Sequence, residues 1–271
     1  MAADVTGSEA TPLLPAHEPP VVPQALVRPH RKRFFVIYAL LAAALGVGIA
    51  GTAVFAGRSI SPGPTWSSWK PSGGGQGAAK QIAAHVSKAY RLPSGKQLVD
   101  VIAKAPSVSP ANQQIPIHYV LVRGTKGAED KIVPVSSTDS VMYSLCGLGT
   151  SCSIAAGKPS VERGTLVRRQ ILELALYTFK YVDGMKSVIA FMPPTPGSQP
   201  QYVVYIEKSD VEANLKTPLL QTLNPKVPLP SAINRREQQT IDAVTEARVY
   251  KFSLSQAQQG DAILVLDPLT A

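Results

Sequence analysis

Residues able to carry chemistry are scarce in this chain. Of its 271 residues, four are histidine and two are cysteine; His17 and His30 precede the longest apolar run, leaving His85 and His118 for the part expected to fold. There is no G-x-S-x-G, H-E-x-x-H, P-loop or dinucleotide glycine pattern. Glu173, Asp183, Glu207 and Asp267 are scattered, and no spacing pairs two of them for acid–base work. His85 adjoins Val86 on an expected helix, and His118 would share a strand face with Val120 and Val122, the setting of a core or edge histidine rather than a catalytic one. No catalytic residue, cofactor, metal site or nucleic-acid partner is therefore expected.

N-x-S/T sequons are missing after the apolar run: Asn112, Asn214, Asn224 and Asn234 are all followed by other residues at the required position, which suits a bacterial envelope protein. Acidic residues are outnumbered, 18 Asp and Glu against 27 Lys and Arg, for a net charge of +9. Most of the excess follows residue 56, where 23 Lys and Arg stand against 15 Asp and Glu, a net +8.

What is present is a stretch, residues 34–56, with no charged side chain along its length. As a helix it would be roughly 34 Å long, enough to cross a hydrocarbon core of about 30 Å with modest tilt. Arg28, Arg31, Lys32 and Arg33 lie against its start and Arg58 alone closely follows its end. By the positive-inside rule the N-terminus is then cytoplasmic and the C-terminal part extracytoplasmic. Val54-Phe55-Ala56 before Gly57 has the form of a signal-peptidase site, but the run exceeds the about 7–15 residues of a signal-peptide core, so a retained single-pass anchor in the cell membrane is expected. Ala42, Gly46 and Ala50, and likewise Ala44, Gly48 and Thr52, recur every four residues, which gives the helix small faces suited to self-association.

The preceding residues 1–33 are proline-rich and without period, the composition of a disordered cytoplasmic tail; Glu9 with Leu13 and Leu14 has the spacing of an acidic dileucine signal. Residues 57–77 carry prolines, a triple glycine and two tryptophans, the composition of a flexible linker. Trp66 and Trp69 suit either the headgroup zone of the outer leaflet or the edge of the domain. Ser67 and Lys70 have the spacing of some acyl enzymes, but they stand between prolines in a tether rather than at a shielded helix start.

Residues 78–271 read as one α+β domain in which the order helix, strand, strand occurs three times. The expected elements are 78–90, 97–103 and 115–122; 161–182, 187–192 and 201–207; and 235–247, 249–254 and 262–266, with further strand between 131 and 156. The helix over 161–182 is apolar on more than one stripe, which predicts the core helix, with Gly184 ending it. Asn234 and Glu237 have capping-box spacing, and Ile263–Leu266, apolar on both phases, predicts a strand flanked on both sides. The short 256–261 connection favours antiparallel neighbours, so the fold class is α+β with a mainly antiparallel or mixed sheet and helices packed on one face.

Two features point toward function. Cys146 and Cys152, alone in the chain and on the oxidising side by the topology above, predict a local disulfide, since a redox pair favours C-x-x-C spacing and zinc needs further ligands. Lys158, Arg163, Arg168 and Arg169 surround the start of one expected helix and Arg235 and Arg236 open another, where a helix dipole favours negative charge. Such a set suits anion binding, in contrast to dispersed lysines such as Lys96, Lys104, Lys126 and Lys208. The resulting expectation is a membrane-anchored extracytoplasmic binding or scaffold domain that contacts an anionic envelope polymer, a lipid headgroup or an envelope protein. The alternative is an envelope hydrolase or transferase with a site assembled from scattered polar residues.

Overall fold

Helical spacing gives way to strand alternation repeatedly after residue 90, and in the computed structural model, which describes residues 65–109, 114–125, 127–258 and 260–269, this becomes a curled mixed sheet with its helices on one face. The expected tail 1–33, the expected span 34–56 and residues 57–64 lie outside the described residues. Among the described residues no helix is long and apolar enough to cross a membrane.

Three longer helices form the outer layer. α1 (Gly75–Ala89) buries Ala78, Ile82 and Val86 along one stripe. α2 (Val161–Tyr181) begins where the Ser160 hydroxyl accepts from the Arg163 amide, and it buries residues on several sides, as its broad apolar front predicts. Its last turn gives way through Val182 to Gly184, whose φ of +78° suits a residue without a Cβ. α5 (Arg235–Thr245) starts at Asn234, whose side chain accepts from the Glu237 amide at 2.9 Å. Two short helices, α3 (Glu212–Lys216) and α4 (Leu219–Thr222), fill the connection between the sheet and α5.

The strands are β1 (Asp100–Lys104), β2 (Ser107–Val108), β3 (Ile115–Val122), β4 (Lys131–Pro134), β5 (Ser140–Cys146), β6 (Ser187–Phe191), β7 (Tyr202–Glu207), β8 (Val249–Gln256) and β9 (Ala262–Pro268). They form one sheet in the order β1-β5-β6-β7-β8-β9-β3-β2, with β4 also on β3. The β5–β6 and β3–β9 pairs are parallel and the others antiparallel. β9 lies between β8 and β3, in keeping with its two apolar phases.

The helix-strand-strand order is realised as paired hairpins in its second and third occurrences only. In the first, β1 pairs with β5 and β3 with β9, so the two strands do not pair with each other. β5, part of the stretch read only as further strand, takes the position beside β1.

One sheet face packs against the helices through residues such as Val141, Tyr143, Val188 and Val204. The other face closes on itself: Met142, Ile189 and Val203 from β5, β6 and β7 share a cluster with Ile117, Leu264 and Leu266 from β3 and β9. β1 and β2, at opposite ends of the strand order, are separated in the chain only by residues 105 and 106, so the curl is nearly complete.

The chain packs earlier than its composition predicts. The flexible linker expected over 57–77 has ended by Trp66, which is buried edge-on to Tyr177 and Tyr181, with ring centroids 5.6 Å away in both cases. Trp69 stacks on His85 at 3.9 Å, and the Trp66 carbonyl accepts from the Leu219 amide at 2.7 Å. Indole area buried against tyrosine and imidazole outweighs the local preference of prolines and glycines for open chain. Of the two placements considered for the tryptophans, the domain edge is the one observed. The Ser67 hydroxyl lies 2.7 Å from the Tyr181 hydroxyl and Lys70 is exposed, so these two do not form a nucleophile pair.

His118 also departs from the strand alternation. A register shift between Ile117 and Tyr119 lets Ile117 and Val120 both face inward and leaves His118 exposed, 3.8 Å from an Asp261 carboxylate oxygen.

Candidate functional site

Strand register decides which side chains look into the curl. Lys104 pairs with Met142 and Met142 with Ile189; one row on, Ile102 pairs with Ser144 and Ser144 with Phe191. On the far side, Phe252, Leu254 and Gln256 oppose Leu266, Leu264 and Ala262. These rows share the inner face because residues two apart on a strand point the same way.

The two ends of the curl differ. The end carrying the termini of β3 and β7 holds a smaller pocket of about 220 Å³ lined by polar pairs: Lys131 lies 2.8 Å from Glu207, Arg248 lies 2.7 Å from Asp210, and the Tyr205 hydroxyl donates to Glu207 at 3.2 Å. Asp210, aided first by its hydrogen bond, raises the pKa of the Arg248 guanidinium further. The end carrying the termini of β5 and β6 opens into a cavity of about 670 Å³, within the roughly 300–1,000 Å³ typical of small-molecule sites.

The cavity walls are largely apolar. Phe191 and Phe252 meet edge to face at 4.8 Å, Met142, Met192 and Leu145 add flexible aliphatic surface, and Leu254 is half exposed at the opening. Ser107, Ser109 and Ser144 supply hydroxyls, and one side chain lining it is cationic, that of Lys104. Burial lowers the Lys104 pKa from its ordinary value. No carboxylate among the described residues forms a salt bridge with it. No histidine, aspartate or glutamate lines the cavity, and among the described residues no group of metal-ligating side chains is assembled anywhere.

The disulfide forms between Cys146 and Cys152, as their spacing and isolation predict, and both residues line the cavity. Its loop is tight: the Gly147 amide donates to the Cys152 carbonyl at 2.8 Å, and a Cβ on Gly147 would come within 2.2 Å of the Ser153 carbonyl oxygen. The bridge thus holds one wall at the end of β5.

The six basic residues read as an anion site divide into two groups. Lys158, Arg235 and Arg236 are exposed. The other three turn inward. Arg163 donates to the Ala156 carbonyl at 2.7 Å, and Arg168 lies 2.7 Å from Asp242 and donates to the Thr245 hydroxyl. Arg169 is wholly buried, 2.8 Å from Glu237 and 3.2 Å from Glu173, and it also donates to the Asn224 carbonyl and the Tyr90 hydroxyl. Burial pushes the Glu173 carboxyl up against the pull of Arg169. This network ties α2 to α5 and to the end of α1, with its donors directed to protein acceptors.

Lys104 stands in the sequence among ordinary lysines, and nothing local separates it from Lys96 or Lys208. The alternation of Phe252, Leu254 and Gln256 with Lys251, Ser253 and Ser255 does signal a two-faced strand, but not that its apolar face borders an open space. Compared with protein-family models, with curated proteins and with solved structures, the chain matches none of them.

Proposed function

We propose that this is a single-pass membrane protein with a cytoplasmic N-terminus, whose extracytoplasmic α+β domain acts by holding an envelope component rather than by catalysis. The observation that carries the binding reading is the open cavity, apolar and lined by no histidine or carboxylate. Four serines border it, yet none is hydrogen-bonded to Lys104 or to another base among the described residues, which weighs against the hydrolase or transferase alternative.

The uncharged run 34–56 and the basic cluster before it support the anchor and its orientation. The disulfide fits an oxidising compartment. Exposed Lys158, Arg235 and Arg236 and the net +8 of residues 57–271 favour an anionic partner, whether polymer, lipid headgroup or envelope protein, and the small-residue faces of the anchor favour self-association.

Protease added to intact spheroplasts should remove the domain and leave the N-terminal tail, followed by antibodies to each end. Protection of the domain with loss of the tail would overturn the orientation.

A further inference from the structure

The cavity at the open end of the curl is specific enough to name a class of occupant. A sugar polymer needs walls rich in hydrogen-bonding groups, whereas here the hydroxyls stand among Phe191, Phe252, Met142 and Leu254. A peptide strand would use a sheet edge, and its side chains would not require an apolar chamber with one cation. A diacyl lipid brings two chains and a bulky headgroup to a space of about 670 Å³. A single hydrocarbon chain fits within that volume, and each methylene moved from water into it adds to the affinity.

The position of charge completes the description. Lys104 ends β1 beside the nearly closed seam of the sheet, next to Ser107 of β2. Its ammonium is partly withdrawn from water, and no described carboxylate forms a salt bridge with it, unlike Lys131 and Arg248 at the opposite end. A cation kept in an apolar wall without a protein anion is stabilised by a ligand that brings one. Ile102, on the same strand phase and half exposed, and Leu254 extend the apolar surface out of the opening, giving a chain a path inward.

We propose that this cavity binds a long-chain fatty acid, with the hydrocarbon chain between Phe191, Phe252 and Met142 and the carboxylate on Lys104 and the neighbouring serine hydroxyls. The assignment rests on the binding reading given above and names the ligand class of that same site.

The test uses the full chain in phosphatidylcholine nanodiscs and a palmitate carrying a diazirine near the chain end, with adducts located by peptide mass spectrometry after illumination. Adducts are expected in β1, β5, β6 or β8, suppressed by unlabelled palmitate and not by hexadecanol at the same concentration. Lys104→Gln should raise the half-saturating concentration about tenfold, as loss of one charge-assisted contact predicts. Lys104→Arg should preserve it and Lys96→Gln should leave it unchanged. Ser144→Phe, which fills the cavity with Lys104 intact, should abolish the adducts, and unaltered urea midpoints show that each variant has folded.

Adducts confined to residues 34–56, or equal suppression by hexadecanol, would overturn the proposal. Suppression by dipalmitoyl phosphatidate but not by palmitate would overturn it in favour of a diacyl lipid. The two readings fail separately: a domain protected in spheroplasts removes the extracytoplasmic placement and leaves reconstituted labelling intact, whereas an exposed domain without these adducts removes the fatty-acid assignment alone.

Discussion

The two ends of the curled sheet are built from the same strands and treat charge in opposite ways. At one end Lys131 and Arg248 each meet a carboxylate, and Glu207, Asp210 and Tyr205 line a small polar pocket with them. At the other, the same face opens onto apolar walls and Lys104 forms no salt bridge with any described residue. Pairing a cation internally satisfies it within the fold, whereas leaving one at the edge of a cavity has a stability cost that a bound anion can offset. The contrast teaches that the basic surplus of this domain is not one uniform field.

Arg169 sets the upper limit of the comparison, as a buried cation with a full complement of acceptors. Arg169→Met should lower the unfolding free energy by about 3–5 kcal/mol, because Glu173 and Glu237 remain buried without their counterion. Urea unfolding followed by tryptophan fluorescence would measure it, and a change under 1 kcal/mol would show that water reaches this network. At the open end, replacing Cys146 and Cys152 together with serine should cost roughly 2 kcal/mol through restored loop entropy in the unfolded chain. At the polar end, Arg248→Gln loses a charge-assisted bond to Asp210 and should cost about 1–2 kcal/mol. A cost as large as that of Arg169→Met would place the two networks on an equal footing.

Lys104→Met should have the smallest effect, within about 0.5 kcal/mol of zero or slightly stabilising at neutral pH. The sign follows from linkage. Burial lowers the folded-state pKa of Lys104, so the folded protein binds this proton less tightly than the unfolded chain. The resulting cost is fully present below the folded-state value and disappears as pH rises toward the ordinary 10.5. The native protein should therefore gain stability over that interval relative to Lys104→Met, and parallel pH profiles for the two would break the contrast between the ends. At the first helix, His85 titrates lower than usual because it is buried and then because of Lys88. Stability from its contact with Trp69 is present above 6.5 and should decline as pH falls through its lowered value, an effect absent in His85→Phe.

The elements themselves were legible because their signals are local. The broad apolar front of α2, the Asn234 cap and the two phases of β9 each lie within a few residues, and each reappears in the structure. The disulfide was legible for a different reason, since two cysteines admit one pairing. The misread places are those where distant chain decides. Trp66 and Trp69 leave a proline- and glycine-rich stretch to pack on Tyr177, Tyr181 and His85, far along the sequence. One shift of register at Ile117–Tyr119 reversed the facing of His118.

By itself, then, the sequence determined the α+β class, most helix and strand positions and the cysteine bridge, because propensity, periodicity and capping act over one or two turns of chain. Only the tertiary structure decided what each charge does. Glu173 stands one turn from Arg169 on α2 and is local to it, but helix packing adds Glu237, and strand order sets Lys104 against an apolar cavity. Glu237 and most of the cavity wall come from segments tens of residues away, and the energy of a charge depends on what surrounds it in space.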